Sequence, residues 1–511
     1  MHTTPLCPKN KGDLIARGDA LAEIHMTIQK KLLRWLVQIL PAFAFAALLT
    51  GCGPEEWIVW APDGEQAIVR EATPRIIDSA GNTMLFAIGE DESIAAWLPD
   101  SRRVLVVRKV GVRSWEEYAE LLGANRVEVI VQLAEELSRA IATYRGELAE
   151  FGDSASFKSW MESVQSRGEE MDSAIYFLHN SQPDVLKPLL EASAKKDAAE
   201  GGKGGPEVDV PRIHELHLRS VAGPDVSDDR LLLRSAAALG MLAVSPRGQS
   251  VAFVQEEPDN LRLYVLALEP GARPLLVEAG ADFAAWSPDG QDLAYSKSSI
   301  PRRGGKSELA LGSISRRRVC TPDGEILAEA GAGEDLAGFI LPPYPARVAW
   351  LPDGRILFAG AKFTLPAITQ NLPDGFTLFA LSLRPVPVIE QLISDAVPSR
   401  LTERVNYFSV SPDGSNVAIL GKSGAVSVLT LATKSFATLQ DSSPQFADRR
   451  NDDSMLVPAW RNADELSMLV PAGDRAGGPD RAEVVIASLR GGRRAISNSW
   501  PDSAGLPRLQ K

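Results

Sequence analysis

A short turn, written over and over, limits what this chain can fold into more than any other feature. Seven times a tryptophan or a serine stands just ahead of a Pro-Asp-Gly turn or a decayed copy of it, starting at Trp60, Trp97, Ser245, Trp286, Trp350, Ser411 and Trp460. Each copy is flanked by two short apolar runs, as where residues 283–286 precede and 293–295 follow Pro288, Asp289 and Gly290. Proline presets φ for the first central position of a type I turn, aspartate caps the backbone beyond it, and glycine accepts the left-handed geometry that closes the loop. The unit is a β-hairpin, and a hairpin at a regular period predicts a repeat architecture.

The spacing selects among repeat architectures. Trp60 and Trp97 are 37 residues apart and Ser245 and Trp286 are 41 apart, about the length of one four-stranded propeller blade. Within the second interval the parts can be assigned: an inner strand at 242–245, a second at 251–254, a third at 263–268 and a fourth near 274–277. Extra turns at Pro322 and Pro373 lack the inner-strand residue and are expected to be hairpins within a blade. The predicted fold is all-β, a β-propeller of seven blades with four antiparallel strands each. A decayed seventh copy at Trp460 and a tail around Trp500 leave six or eight blades open.

One interval is anomalous. Trp97 and Ser245 are 148 residues apart, where one blade needs about 40. Inside it the period changes from two to 3.6, with Val127, Ile130, Val131, Ala134, Leu137, Ile141 and Tyr144 on one helical face. Ser114 with Glu117 forms a capping box, and Ser181 with Pro183 marks a further helix start. A flexible linker at 201–206 closes the segment. The α-helical insertion therefore enters blade two after its second strand, on the face opposite the Pro-Asp-Gly turns, and is expected beside or over one mouth of the central channel. The resulting organisation is 1–51 extension and signal, 52–110 first propeller segment, 111–210 helical insertion, and 211–511 remainder of the propeller.

The start of the chain carries a second message. Lys30, Lys31 and Arg34 are followed by an apolar run at 35–49 and by Leu49, Thr50, Gly51 and Cys52. This order resembles a bacterial lipoprotein signal peptide with its lipobox, which implies lipidation of Cys52 and attachment to the membrane through that lipid. The run is too short and too interrupted by Gln38 and Pro41 for a good spanning helix. Met26 directly precedes the signal and is expected to be the initiator. Gly53 stands where an inner-membrane retention signal would carry aspartate, which favours the outer membrane.

Charge narrows the partners. The net charge is −12, and removing residues 1–51, with six basic and three acidic side chains, makes it −15. An acidic chain gains nothing from releasing phosphate counterions, so no nucleic-acid partner is expected. Residues 111–210 hold 19 acidic and 10 basic side chains, a balance that favours basic or neutral partners. Arg302, Arg303 and Arg316 to Arg318 are read as exposed hairpin edges.

Catalytic chemistry is sparse. His214 and His217 are three apart in a strand, which points them to opposite faces and makes a surface pair the simpler reading than a metal site. His179 reads as a C-terminal helix residue, and Cys320 is left without a disulfide partner. No nucleophile elbow, Walker loop or dinucleotide fingerprint occurs, so no catalytic residue, cofactor or metal ligand is assigned.

The copies at Trp60 to Gly64, Trp286 to Gly290, Trp350 to Gly354 and Ser411 to Gly414 resemble the WD40-like repeats of TolB-like β-propellers, over about Glu55 to Trp500 outside the insertion. The resemblance implies a periplasmic or envelope protein whose propeller docks peptides or partner proteins at the channel mouth. TolB proteins carry an additional N-terminal α/β domain, and here the first blade follows Cys52 almost at once. The expected function is a lipid-anchored envelope scaffold that binds envelope proteins or peptides. The alternatives are a metal-assisted propeller hydrolase or lactonase with its site at the channel, and a rigid assembly spacer.

Overall fold

The computed structural model describes residues 58–69, 75–84, 89, 91–150, 154–165, 167–199, 208–221, 229–257, 260–298, 310–341, 346–361, 376–383, 386–393, 405–421, 425–440, 457–471 and 482–495. The chain separates after Gly51 into two units, and every described residue belongs to the second. Cys52, Met26, the basic and apolar signal segments, the linker at 201–206, Arg302, Arg303, the turn at Pro373 and the tail around Trp500 lie outside the described residues.

The described residues form a β-propeller of seven antiparallel sheets, six with four strands and the first with three. Each sheet is built from consecutive strands, and the inner ones are Ile58–Trp60, Glu92–Trp97, Ala238–Val244, Ala281–Trp286, Val348–Trp350, Val405–Val410 and Ala459–Trp460. Successive sheets touch in chain order, and the first inner strand touches the last, so the ring closes. At that seam Arg461 Nε donates to Gly64 O at 2.8 Å, and Arg494 Nη1 to Ser79 O at 3.1 Å.

The repeated turn explains why the hairpins form. Gly64, Gly248, Gly290, Gly354 and Gly414 all have positive φ, between 67° and 89°, and each backbone N–H closes on the carbonyl three residues back, at 2.8 to 3.0 Å. Ser101 takes the same left-handed position in the second copy, with φ 57°. Ser245 and Ser411 correct the register read from sequence. They match Ser287, the residue after the tryptophan, because each hydroxyl accepts backbone N–H groups four or five residues on: Ser250 N to Ser245, Asp292 N to Ser287 and Asn416 N to Ser411, at 2.9 to 3.1 Å. Val244 and Val410 therefore occupy the tryptophan position in sheets three and six.

Apolar layers between neighbouring sheets form the core. Sheets four and five share Ile314, Phe339, Phe358 and Phe379, and sheets five and six share Leu357, Leu378, Val417 and Leu429. Each such side chain, fully buried, stabilises the ring by about 1.5–3 kcal/mol.

In sheet two the second strand ends at Gly111 and the third begins at Arg212. Between them lie α1 (Trp115–Leu122), α2 (Ala124–Thr143), α3 (Arg145–Glu150), α4 (Ala155–Gln165), α5 (Glu169–Ser181) and α6 (Pro183–Ala199). Ser114 caps α1 by accepting from Glu117 N, while the Glu117 carboxylate accepts from Arg113 N at 2.7 Å, so the reciprocal half of the box falls one residue upstream. On α2 the buried stripe is Ile130, Leu133, Ala134, Leu137 and Ile141, packed on Tyr118, Leu178 and Leu186. Ser181 ends α5 instead of capping α6, its hydroxyl bonding back to Phe177 O. Ile213 joins the helical core, and α1 meets the fourth strand of sheet two, Arg230–Ser235. No helix among the described residues is long and apolar enough to cross a membrane.

Candidate functional site

Tryptophans of the repeat act as clasps between sheets. Trp97 Nε1 donates to Val59 O at 2.9 Å, Trp286 Nε1 to Ala243 O at 2.8 Å, and Trp460 Nε1 to Ser409 O at 3.1 Å. Trp60 Nε1 donates to Ser467 Oγ, which donates in turn to Ala459 O, both at 3.0 Å. In each case the acceptor carbonyl is on the inner strand of the preceding sheet, just ahead of that sheet's tryptophan position. Trp350 breaks the rule. Its indole N–H turns back to Gly354 O in its own turn, at 3.2 Å, and the ring stays half-buried.

The turns themselves show the same break. A methyl added to Gly248 would lie 3.1 Å from Pro99 Cδ, and one added to Gly290 would lie 3.6 Å from Pro246 Cδ. Gly414 sits against the Pro352 ring and Gly64 against the Arg461 carbonyl. Sheets one and two are tied by Asp63 N donating to Ser101 Oγ at 3.1 Å, and sheets six and seven by Asn416 Nδ2 donating to Ala463 O at 3.5 Å. A methyl added to Gly354 would meet nothing within 4 Å. Among the described residues, the junction between sheets four and five is thus the one left open at the turn face, although its apolar layer is intact.

A cleft of about 480 Å³ occupies that opening, lined by Ser287, Asp289, Asp292, Arg316, Trp350, Asp353, Arg355, Ser382 and Leu383 among others. Volumes of this order hold a small ligand or a few side chains. Arg316 pairs with Glu334 at 2.7 Å, Arg355 with Asp353 at 2.7 Å and Asp292 with Arg318 at 3.1 Å. Burial pushes the Asp289 carboxyl up, but hydrogen bonds from Ser287 Oγ and Gln291 N outweigh it and hold the group below the usual carboxylate range. Asp353 follows the same pattern, with Arg355 as the outweighing partner. Both carboxyls are therefore anionic at neutral pH.

The strand containing Arg316 to Arg318, Ala310–Arg318, is the third of sheet four, paired with the second strand and, as far as Arg316, with the fourth, so it is an interior strand and not a hairpin edge, with Arg318 at its end exposed. Arg317 reaches Glu278 of sheet three at 3.2 Å.

A second charged assembly lies on sheet two. Arg219 grips Glu92 with two hydrogen bonds of 2.9 and 3.1 Å, and Arg108 Nε adds a third at 2.8 Å. Asp229 lies 2.9 Å from Arg219 Nη2 and 2.8 Å from His217 Nδ1, while His217 Nε2 is 3.3 Å from Glu215. Arg234 then links Glu215 to Glu117 in the first turn of α1. Glu92 and Arg219 are only 7% and 6% exposed. Burial alone would push the Glu92 carboxyl up, but the Arg219 fork, the Gly89 N–H and Arg108 bring it down to about 2. This chain of charges ties the inner strand to the insertion and fixes where the helices sit.

His217 is buried and His214 half-buried, so the expected surface pair is corrected: their strand lies inside the sheet, between the second and fourth strands. Burial lowers the His214 pKa to about 4, with Lys109 directly opposite on the neighbouring strand. His179 stands in the last turn of α5. Cys320 is a buried free thiol, and burial pushes its pKa up to about 11. Among the described residues no group of three or more His, Cys, Asp and Glu is arranged to hold a metal ion. The sequence carried no signal for the open junction, because the Trp350 copy is written like the clasped ones.

No family model matches the chain, and no curated protein sequence is significantly similar to it. Among solved structures, TolB from Acinetobacter baumannii is 15% identical over 54% of this chain and 57% of its own, with a TM-score of 0.34. An oligogalacturonate lyase from Vibrio parahaemolyticus is 12% identical over 72% and 75%, TM-score 0.36. Hydrazine synthase of Kuenenia stuttgartiensis is 10% identical over 81% and 92%, TM-score 0.39. The chain thus spans little more than half of the TolB structure, and likeness at these identities concerns the propeller fold alone.

Proposed function

We propose that this chain is a lipid-anchored β-propeller of the bacterial cell envelope, held through Cys52, that works as a binding scaffold and takes its partner in the cleft between sheets four and five. The observation that carries the reading is the released clasp. Trp350 keeps the sequence of a clasp but gives up the inter-sheet bond, and the turns beside it stand apart. A tryptophan half-freed beside charged groups in a cleft has the composition of an interface hot spot, where Trp and Arg predominate. The cleft opens on the face that carries the repeated turns, whereas the insertion leaves sheet two on the opposite face, so partner binding does not depend on the helices as a lid.

The test uses a photo-crosslinking residue at Ser382 of the full chain in its native membrane, with one at Val129 on the exposed side of α2 as control. A discrete adduct from Ser382, lost in Trp350→Ala and absent from the Val129 position, supports the cleft. An adduct indifferent to Trp350→Ala overturns it. Intact mass decides the anchor separately: a chain beginning at lipidated Cys52 supports it, and an unprocessed chain from Met1 or Met26 removes it.

A further inference from the structure

We infer that the cleft between sheets four and five receives a basic side chain, arginine or lysine, from an extended polypeptide, with the cation over the Trp350 ring and the Asp289 carboxylate as its counter-ion. The inference rests on the cleft being the binding site and adds the chemistry of its occupant.

Among the described residues, one charged group of the cleft has no ion-pair partner. Arg316, Arg355 and Asp292 are each engaged by an opposite charge, from Glu334, Asp353 and Arg318. Asp289 is different. Its oxygens accept from Ser287 Oγ at 2.6 Å, Gln291 N at 3.1 Å and Gln291 Nε2 at 2.9 Å, all neutral donors, and it makes no ion pair among the described residues. Arg318 contributes an attractive field to Asp289 but its guanidinium is bound to Asp292. Among the described residues, a carboxylate without an ion pair therefore shares the cleft with an indole.

That combination suits a cation more than any other ligand class. The face of an aromatic ring carries negative potential, tryptophan most strongly, and a guanidinium or ammonium placed over it is attracted further by a neighbouring carboxylate. An anionic ligand would meet Asp289 and find both lining arginines already paired. The chain as a whole is acidic, at −12, which draws basic partners toward it.

The rim indicates a polypeptide instead of a free cation. Ser382 ends the third strand of sheet five and Leu383 follows it, both lining the cleft, and the fourth strand, Val388–Gln391, is the outer edge of that sheet among the described residues. Val386 and Val388 are 65% and 58% exposed, and Ile389 is exposed as well. An outer strand with unpaired backbone groups and bare apolar side chains accepts an extended segment as an added strand. Such a segment would run past the cleft and could place one side chain in it.

The experiment measures binding of short acetylated peptides to the full chain by fluorescence anisotropy. The peptides share a Val/Ser sequence and differ only in a central Arg, Lys, Gln or Glu. The Arg and Lys peptides are expected to bind roughly tenfold tighter than the Gln and Glu peptides, and to weaken as salt rises. Trp350→Ala and Asp289→Asn should each remove most of that preference, and Trp350→Phe, which keeps an apolar ring, should remove part of it. Thermal unfolding of each variant checks that the fold is retained, and Trp350→Phe stands in if Trp350→Ala does not fold. Equal binding of the Gln or Glu peptide that still depends on Trp350 overturns the cationic side chain and leaves the cleft as the binding site. Peptide binding untouched by every Trp350 substitution overturns the cleft reading itself. Failure of all four peptides to bind overturns the polypeptide occupant.

Discussion

Two neighbouring junctions of this ring are written almost alike and behave differently. At sheets three and four, Trp286 bonds to Ala243 O and Gly290 rests near Pro246. At sheets four and five, Trp350 bonds within its own turn, and a methyl added to Gly354 would meet nothing within 4 Å. The residues after the tryptophans differ too. In both turns the aspartate accepts from the backbone N–H two residues on, but Ser287 adds its hydroxyl as a further acceptor, whereas Leu351 is a fully buried apolar residue with none to offer. A propeller can thus keep its apolar layers continuous while leaving one junction unclasped at one face, and that is where surface and charge become available to a ligand.

The comparison breaks most directly at the two tryptophans. Trp286→Ala removes a buried ring and an inter-sheet bond, and should cost about 3–5 kcal/mol in denaturant unfolding. Trp350→Ala, at a half-buried ring with a local bond, should cost about 1–2 kcal/mol. Equal losses would mean that Trp350 clasps the ring after all.

Ser287→Ala should cost about 1–3 kcal/mol, because Asp292 N loses its hydroxyl acceptor while Gln291 N keeps only Asp289. Leu351→Ser, the reverse exchange, gives up a fully buried apolar side chain and should cost about 2–5 kcal/mol, whereas a stabilised ring would show that the open junction can be knitted by its turn alone.

Glycine substitutions on the two sides of sheet five sharpen the contrast further. Gly354→Ala meets open space and should cost only the left-handed strain of about 1–2 kcal/mol. Gly414→Ala carries the same strain and also presses on the Pro352 ring, so its midpoint in thermal unfolding should fall further. Equal midpoints would show that the closed junction yields as easily as the open one.

The smallest effect is electrostatic. Against the upward push of burial, hydrogen bonds from Ser287 to Asp289 and from Arg355 to Asp353 hold both carboxyls below the usual aspartate range. A depressed folded pKa gives stability that is fully present above the unfolded value and is lost as pH falls through the folded one. Acid below about pH 4 should therefore weaken both turns. Asp353→Asn should flatten that limb by a few tenths of a kcal/mol, since the Asp353 and Arg355 pair is substantially exposed. An unchanged acid limb would show that this pair adds nothing.

Legibility in the sequence followed the range of the interaction. Proline, aspartate and glycine at fixed offsets announce their hairpins because the bonds they make are local, and the four strands of sheet three fall where the apolar runs place them. The change of period at Val127 likewise located the helical face, although Leu133 completes it. Ser245 and Ser411 were read one position out of register, since a serine ahead of a proline looks the same whether it replaces the tryptophan or follows it. The Glu92 and Arg219 pair joins residues 127 apart, and no local pattern marks it.

The sequence by itself determined the repeated hairpin, and with it the propeller and the place where the helices interrupt it, because turn geometry and side-chain period are settled within a few residues. Tertiary structure alone decided which junction stays open. An indole N–H at Trp350 can satisfy itself at Gly354 in its own turn or on the neighbouring sheet at comparable gain, so the choice falls to how the sheets pack around it.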